Sequence, residues 1–208
     1  MLKISNLSLG YDGKEIIKID NLNLKKSDQI LIKGNSGCGK TTLIHTIAGL
    51  KKALGGTIFI DDINISNLSE SKMDKFRGQN IGIIFQNLHL VKSLNISENL
   101  LLSFYLNDLE PDKKRVEEIL DALGILDLQK KLPYQISQGQ AQRVAIARSI
   151  LLKPKLILAD ELTSSLDDEN CFAVANLLKK IATQNSATLI ISTHDQRLNQ
   201  FFSNQINL

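Results

Sequence analysis

The chain alternates short apolar runs with longer segments in which apolar residues recur at helical spacing. The apolar runs are typical of strands and lie at residues 30–32, 81–85, 156–159 and 188–192. Residues 1–7 and 57–61 instead alternate apolar and polar side chains, as strands with one exposed face do. Strands and helices that alternate along a chain favour a parallel sheet covered by helices. The pattern therefore predicts an α/β fold with a parallel central sheet.

Between residues 87 and 152 helical spacing takes over. The apolar residues that share a face are Ile96, Leu100, Leu101 and Phe104 in one predicted helix, and Val116, Ile119, Leu120 and Leu123 in the next. Pro111 can start the second helix, and Gly124 can end it. The segment is predicted to form a helical subdomain.

A glycine-rich segment lies between the apolar run at 30–32 and an apolar helix. It fits the pattern GxxxxGK[ST] with Gly34, Asn35, Ser36, Gly37, Cys38, Gly39, Lys40 and Thr41, and Thr42 follows. In this pattern backbone N–H groups wrap a triphosphate, Lys40 reaches the outer phosphates, and Thr41 would hold Mg²⁺. The pattern also arises by chance in loops with several glycines, but the flanking strand and helix favour a nucleotide site.

The apolar run at 156–159 ends in Asp160 and Glu161. Asp160 can orient the water shell of a metal ion, and Glu161 can position or deprotonate an attacking water. Two acids after a strand are more often solvated carboxylates than a metal site when they are considered alone. Together with the glycine-rich loop they indicate nucleotide hydrolysis.

A serine-capped helix begins just upstream of these acids, at Ser137. Here the chain resembles the ATP-binding-cassette (ABC) ATPases, whose signature is LSGGQxQR. The matching residues are Ser137, Gly139, Gln140, Gln142 and Arg143. Gln138 departs from the signature, because the family has glycine there.

The resemblance covers essentially the whole chain and implies roles for further residues. Tyr11 matches the aromatic that stacks on adenine, and Gln86 matches the glutamine that senses the metal and the γ-phosphate. His194 matches the γ-phosphate switch histidine. The family's dimer-interface loop corresponds to Ser164, Ser165, Leu166 and Asp167, and Leu162 departs from the usual proline. Each match is weak alone, but their common order and spacing carries the assignment.

The same resemblance implies the architecture. We expect a P-loop NTPase with a parallel core sheet, an antiparallel β subdomain and a helical signature subdomain. Residues 1–208 would form one ABC ATPase domain, in which 1–86 and 153–208 hold the nucleotide-binding core with its β subdomain. Residues 87–152 would form the helical subdomain. The chain has one phosphate loop and one signature, so two copies would meet head to tail, and the nucleotide would also contact Ser137, Gly139, Gln140 and Asp167.

Composition restricts the partners. The net charge of +3 is small and the lysines are scattered, so we expect no nucleic-acid partner. Two cysteines, Cys38 and Cys171, imply no disulfide framework and fit a reducing compartment. No apolar run approaches the ~20 residues needed to span a bilayer, and no signal peptide is evident. We expect a cytoplasmic protein that reaches the inner face of the membrane through a permease.

The segment 76–99 looks like the ATPases that serve lipoprotein release, macrolide or peptide export, and the cell-division permease. The sequence therefore predicts an ATP-hydrolysing subunit that uses ATP and Mg²⁺, dimerises on ATP and drives a separate permease for export or mechanotransmission. Leu88, Leu90 and Leu94 are candidate permease contacts, with core packing as the alternative.

Two other functions remain open. A non-transport ABC ATPase usually has a long coiled-coil insertion or tandem cassettes, and neither is present. An ATP-binding scaffold with weak hydrolysis is suggested by Gln138, although Glu161 and His194 argue against it.

Overall fold

The computed structural model of the chain describes residues 1–163 and 166–208. A parallel sheet forms its centre, with the strand order β6, β7, β8, β3, β9. These strands are β6 (Ile81–Ile84), β7 (Leu156–Asp160), β8 (Thr188–Thr193), β3 (Gln29–Lys33) and β9 (Asn204–Asn207). Each neighbouring pair is parallel, which confirms the predicted core sheet.

The apolar runs are strands that the protein buries on both faces. Every residue of β7 and of β8 is buried, as expected for parallel strands covered by helices. In the sheet register Asp160 pairs with Ser192, and Lys33 pairs with Thr193. The carboxyl ends of β7, β8 and β3 therefore meet at one edge, where ligands bind in open α/β sheets.

A second sheet is antiparallel, with the strand order β2, β1, β4, β5. Its strands are β1 (Leu2–Tyr11), β2 (Lys14–Leu24), β4 (Gly55–Ile60) and β5 (Ile63–Asn64). It matches the predicted antiparallel β subdomain. The register of β1 against β2 shifts between Leu9 and Gly10, close to the end of β1 that carries Tyr11.

The helices are α1 (Lys40–Ile47), α2 (Glu70–Asn80), α3 (Ile96–Tyr105), α4 (Lys113–Ala122), α5 (Gln138–Ile150) and α6 (Asp168–Gln184). Short 3₁₀ turns lie at Ile65–Asn67, Leu126–Leu128, Pro133–Gln135 and Gln196–Phe201. Within the described ranges, none of the helices combines the length and hydrophobicity that a membrane crossing requires.

One hydrophobic core joins α3, α4, α5 and α6 to one face of the parallel sheet. A second core lies between the other face, α1 and the antiparallel sheet. The predicted helical faces point into the first core, since Ile96, Leu100, Val116 and Leu120 are all fully buried.

The predicted start of α4 at Pro111 is wrong by a short distance. Asp112 caps the helix instead, because its side chain accepts a hydrogen bond from the N–H of Arg115. The predicted end is confirmed, since Gly124 has a positive φ just beyond the helix.

Candidate active site

A cavity of about 320 Å³ lies at the carboxyl edge of the parallel sheet. Its walls are Tyr11, Ile16, Ser36, Gly37, Gly39, Lys40, Thr41, Thr42, Gln86, Glu161 and His194. Ten of these were predicted from sequence, and Ile16 was not. The fold therefore gathers residues from both ends of the chain and its middle around one space.

The loop between β3 and α1 leads the chain sharply into the first turn of α1. Gly37 and Gly39 have φ values of 83° and 99°, which side chains disfavour. A Cβ on Gly39 would also overlap Ile17. The N-terminal turn of α1, which holds Lys40 and Thr41, lines the cavity and contains no acidic residue. The first N–H groups of an α-helix have no partner within the helix, and together with the helix dipole they favour an anion at this point.

Lys40 is the buried cation of this site, with its side chain only 4% exposed. Its Nζ donates to the carbonyl oxygens of Gly34 and Asn35, at 2.9 and 3.0 Å. It also forms an ion pair with Oε1 of Glu161, at 3.1 Å. Cys38 packs against Gly34. Gly34 and Asn35 therefore hold Lys40, and Cys38 packs within the loop, but none of the three lines the cavity.

Glu161 joins the lysine to His194. Its second oxygen, Oε2, lies 2.8 Å from Nδ1 of His194, whose side chain is half exposed. Glu161 has a φ of 48°, in the left-handed region, while its N–H donates to the carbonyl of Ser192. A residue other than glycine adopts this conformation only when its surroundings hold it there. The chain Lys40, Glu161, His194 is thus a built feature.

The residues predicted to hold a metal supply oxygen ligands. Thr41 and Gln86 line the cavity, whereas Asp160 lies just outside its walls, 3% exposed. The Asp160 carboxylate accepts a hydrogen bond from the Ser192 hydroxyl. In residues 1–163 and 166–208, no cluster of three His, Cys, Asp or Glu side chains could hold a metal alone. A hydroxyl, an amide and one carboxylate fit Mg²⁺, which takes its other ligands from phosphates and water.

Tyr11 stands at the rim of the cavity and is 55% exposed. Its hydroxyl bonds to that of Thr42 at 2.9 Å, and the Lys51 ammonium lies 2.9 Å from the ring centroid. The Thr42 hydrogen bond, and then Lys51, lower the pKa of Tyr11. The ring is therefore held in place at the cavity mouth.

The signature residues lie outside the cavity. Ser137 is exposed and caps α5: its side chain accepts from the N–H of Gln140, whose own side chain accepts from the Ser137 N–H. A Cβ on Gly139 would meet no atom within 4 Å. No atom of residues 1–163 and 166–208 therefore demands glycine at position 139.

Asp167 is also exposed and outside the cavity. It caps α6 by accepting a hydrogen bond from the N–H of Asn170. The predicted interface residues Ser164 and Ser165 lie outside the described residues.

Sequence reasoning missed the contacts just behind His194. The carboxylate of Asp195 accepts hydrogen bonds from Thr163 and Arg197, and the Arg197 bonds are the main cause that lowers the pKa of Asp195 to about 2. Asp195 directly follows the predicted histidine, which was the only signal in the sequence. Arg197 had none.

Residues 17–164 of the chain match the model of the ABC transporter family. The chain belongs to this family. It is an ABC ATPase with the P-loop fold, as predicted.

A solved structure with this fold is the ATP-binding cassette MJ0796 of Methanocaldococcus jannaschii, a dimer in a post-hydrolysis state bound to ADP and Pi. It superposes with a TM-score of 0.90 at 32% identity, covering 100% of this chain and 94% of that chain.

Curated relatives include the lipoprotein-releasing system ATP-binding protein LolD of Buchnera aphidicola. It is 38% identical over 206 residues, covering 95% of this chain and 90% of the relative. This confirms the resemblance to the lipoprotein-release group. The methionine import ATP-binding protein MetN of Carboxydothermus hydrogenoformans is 37% identical over 203 residues. The match covers 95% of this chain but only 60% of MetN.

Proposed function

We propose that this chain is the ATP-hydrolysing subunit of an ABC transporter, and that it dimerises on ATP to drive a separate membrane permease. The observation that carries the proposal is the cavity in which the phosphate loop, Gln86, Glu161 and His194 meet. The family resemblance assigns these residues to one nucleotide site, and the fold brings their side chains together around one cavity.

In the proposed site the triphosphate lies against the N-terminus of α1 and Lys40. Lys40 then exchanges the Glu161 carboxylate for phosphate oxygens, and the released Oε1 can accept a hydrogen bond from the attacking water. His194 steadies the other oxygen of Glu161 and lies beside the γ-phosphate. Tyr11 stacks on adenine with the face of its ring that Lys51 leaves open.

Thr41, Gln86 and Asp160 would hold Mg²⁺, which supplies positive charge that neutralises the phosphate oxygens. The residues fit this ion because all three offer oxygen and Asp160 is buried next to the cavity.

A second copy completes the proposed site. Ser137, Gly139, Gln140 and Asp167 lie away from the cavity of their own chain, although the family resemblance assigns them to the nucleotide. The open space beside Gly139 leaves room for a phosphate to approach the first turn of α5. The dimeric MJ0796 structures support this arrangement.

We propose export or mechanotransmission as the work that this ATPase performs. The support is the segment 76–99 and the match to LolD over 90% of its length. MetN is an importer component with similar identity, so identity alone does not choose a direction. The chain would lie on the cytoplasmic face of the membrane through its permease, without a nucleic-acid partner.

We propose that the permease docks on the surface around the loop after Gln86 and the end of α3. Leu88 and Leu90 are half-buried and pack against the first core, so they belong partly to the interior.

The exposed apolar residues of this region are Val91, Tyr105, Leu106 and Leu109, with Leu106 80% exposed. The Asn99 side chain bonds both backbone groups of Val91 and so fixes the loop to α3. Tyr105, Leu106 and Leu109 follow one another at the end of α3, and exposed apolar side chains grouped in this way favour a partner.

Lys40→Ala should abolish tight Mg-ATP binding, because it removes the positive charge next to the outer phosphates in a water-poor site. The exposed Lys52→Ala is the matched control and should bind normally, since its ammonium pairs with Glu70 at the surface, away from the cavity. Isothermal titration calorimetry measures both. Micromolar affinity retained by Lys40→Ala would refute the assignment of the phosphate loop.

Glu161→Gln should keep ATP binding but slow turnover by at least ~100-fold, the scale of a lost positioned base. It should also accumulate as a dimer with ATP in size-exclusion chromatography. Glu169→Gln is the control and should behave as wild type, because it makes the same change from carboxylate to carboxamide at an exposed residue in the first turn of α6. Turnover at the wild-type rate in Glu161→Gln would exclude this residue from the chemistry. Low wild-type ATPase that Glu161→Gln does not reduce would favour the scaffold function.

Leu106→Asp should uncouple ATP hydrolysis from the permease while the isolated chain keeps its ATPase activity and thermal stability, because the side chain already faces solvent. The membrane subunit to co-express is a candidate chosen from the reading frames that neighbour the gene of this chain. Ile63→Asp, at an exposed apolar position in β5, is the control. Permease stimulation that survives Leu106→Asp would remove this surface from the interface.

A further inference from the structure

We propose that Arg197 is a positioning residue that clamps the segment after Glu161 to the loop that carries His194. The two segments then move as one unit when a second copy docks. The inference rests on the roles proposed above for Glu161, His194 and the two-copy site.

Arg197 uses its whole planar guanidinium. Nε lies 2.9 Å from Oδ1 of Asp195, and Nη2 lies 2.7 Å from Oδ2, so the ion pair is bidentate. Nη1 donates to the carbonyl of Leu166 at 3.1 Å and to Oδ1 of Asp168 at 2.6 Å. Nη2 also reaches the carbonyl of Thr163, at 3.4 Å. One side chain thus contacts Thr163, which follows Glu161, and also Leu166 and Asp168 at the start of α6.

Asp195 is the main partner of Arg197, and its own hydrogen bonds hold it in place. Its carboxylate is 7% exposed and accepts further hydrogen bonds from the hydroxyl of Thr163, at 3.1 Å, and the thiol of Cys171, at 3.5 Å. Its N–H donates to the Thr193 hydroxyl at the end of β8. With its pKa lowered to about 2, mainly by Arg197, the carboxylate stays ionised at neutral pH.

The clamp and the catalytic pair bridge the same two segments. Thr163 lies two residues after Glu161, and Asp195 directly follows His194. The Glu161–His194 contact at 2.8 Å is one connection between these segments, and the Arg197 and Asp195 contacts form a second one behind it. Asp168 adjoins Asp167, which is proposed to face the second copy. Arg197 therefore links the start of α6, which is proposed to face the second copy, to the segment that follows Glu161.

These contacts distinguish Arg197 from an ordinary surface arginine. A lysine at position 197 has a single ammonium group. It cannot form a bidentate pair with Asp195 while it also bonds Leu166 and Asp168. The hydrogen bonds and ion pairs that the structure describes for Arg197 do not involve the phosphate loop, so ATP binding in one chain should not require it. Its loss should affect the step in which the two copies close and Glu161 is aligned.

The test compares steady-state ATPase parameters and ATP-driven dimerisation of Arg197→Ala, Arg197→Lys and wild type. Arg197→Ala should lower kcat by about tenfold or more with KM for ATP changed less than about threefold, and Arg197→Lys should recover only part of kcat. In the Glu161→Gln background, Arg197→Ala should reduce the dimer fraction at a given ATP concentration. Arg115→Ala, which removes an α4 pair with Glu118, is the control and should leave kcat unchanged.

A kcat equal to wild type in folded Arg197→Ala, or a raised KM with unchanged kcat, would overturn the clamp. If Arg197→Ala does not fold, Asp168→Asn carries the test, because it weakens one contact of Arg197 and keeps the Asp195 pairing. Asp168→Asn should then give a smaller kcat loss at constant KM, and an unchanged kcat would overturn the proposal. Failure of the proposed function would give a different result, since the ATPase rate of Glu161→Gln would then equal that of the wild type.

Discussion

The ion pair between Lys40 and Glu161 is the interaction on which the site depends. A buried ammonium requires charged and polar partners, and Lys40 has two carbonyls and this carboxylate, at 3.1 Å. The pair can form only because β3 and β7 flank β8 and end at one edge. In the proposed mechanism nucleotide binding is an exchange of partners at Lys40. Phosphate oxygens would replace the carboxylate, and Glu161 would become available to water at the moment when a γ-phosphate is present.

Two features of the chain agree with the proposal that a second copy completes the site. The capped N-terminus of α5 is formed and exposed, but it does not line the cavity of its own chain. Behind the cavity, Arg197 and Asp195 connect the segments that carry Glu161 and His194 to the start of α6. A second copy that contacts this side could therefore align Glu161 without touching it. Closure and hydrolysis are coupled in this account by a rigid connection.

The sequence was sufficient where chemistry or periodicity is local. The phosphate loop, the buried strands β7 and β8, and the apolar faces of α3 and α4 all follow from neighbouring residues. Helix α2 was not predicted, because it is polar and buries only Met73. Strand β9 was missed for the same reason, since three of its four residues are polar and it is defined by pairing with β3. The contacts of Arg197 with Thr163, Leu166 and Asp168 join residues about thirty positions apart, and no spacing pattern reports such contacts.

The exchange at Lys40 can be tested by comparing the affinities of wild type and Glu161→Gln for a non-hydrolysable ATP analogue with Mg²⁺, in the same buffer. The glutamine removes a carboxylate that competes for Lys40 and repels the γ-phosphate. We expect the variant to bind the analogue about tenfold more tightly, or by ~1.4 kcal/mol. Equal or weaker binding by Glu161→Gln would contradict it, because Glu161 would then not be displaced from Lys40 by the nucleotide.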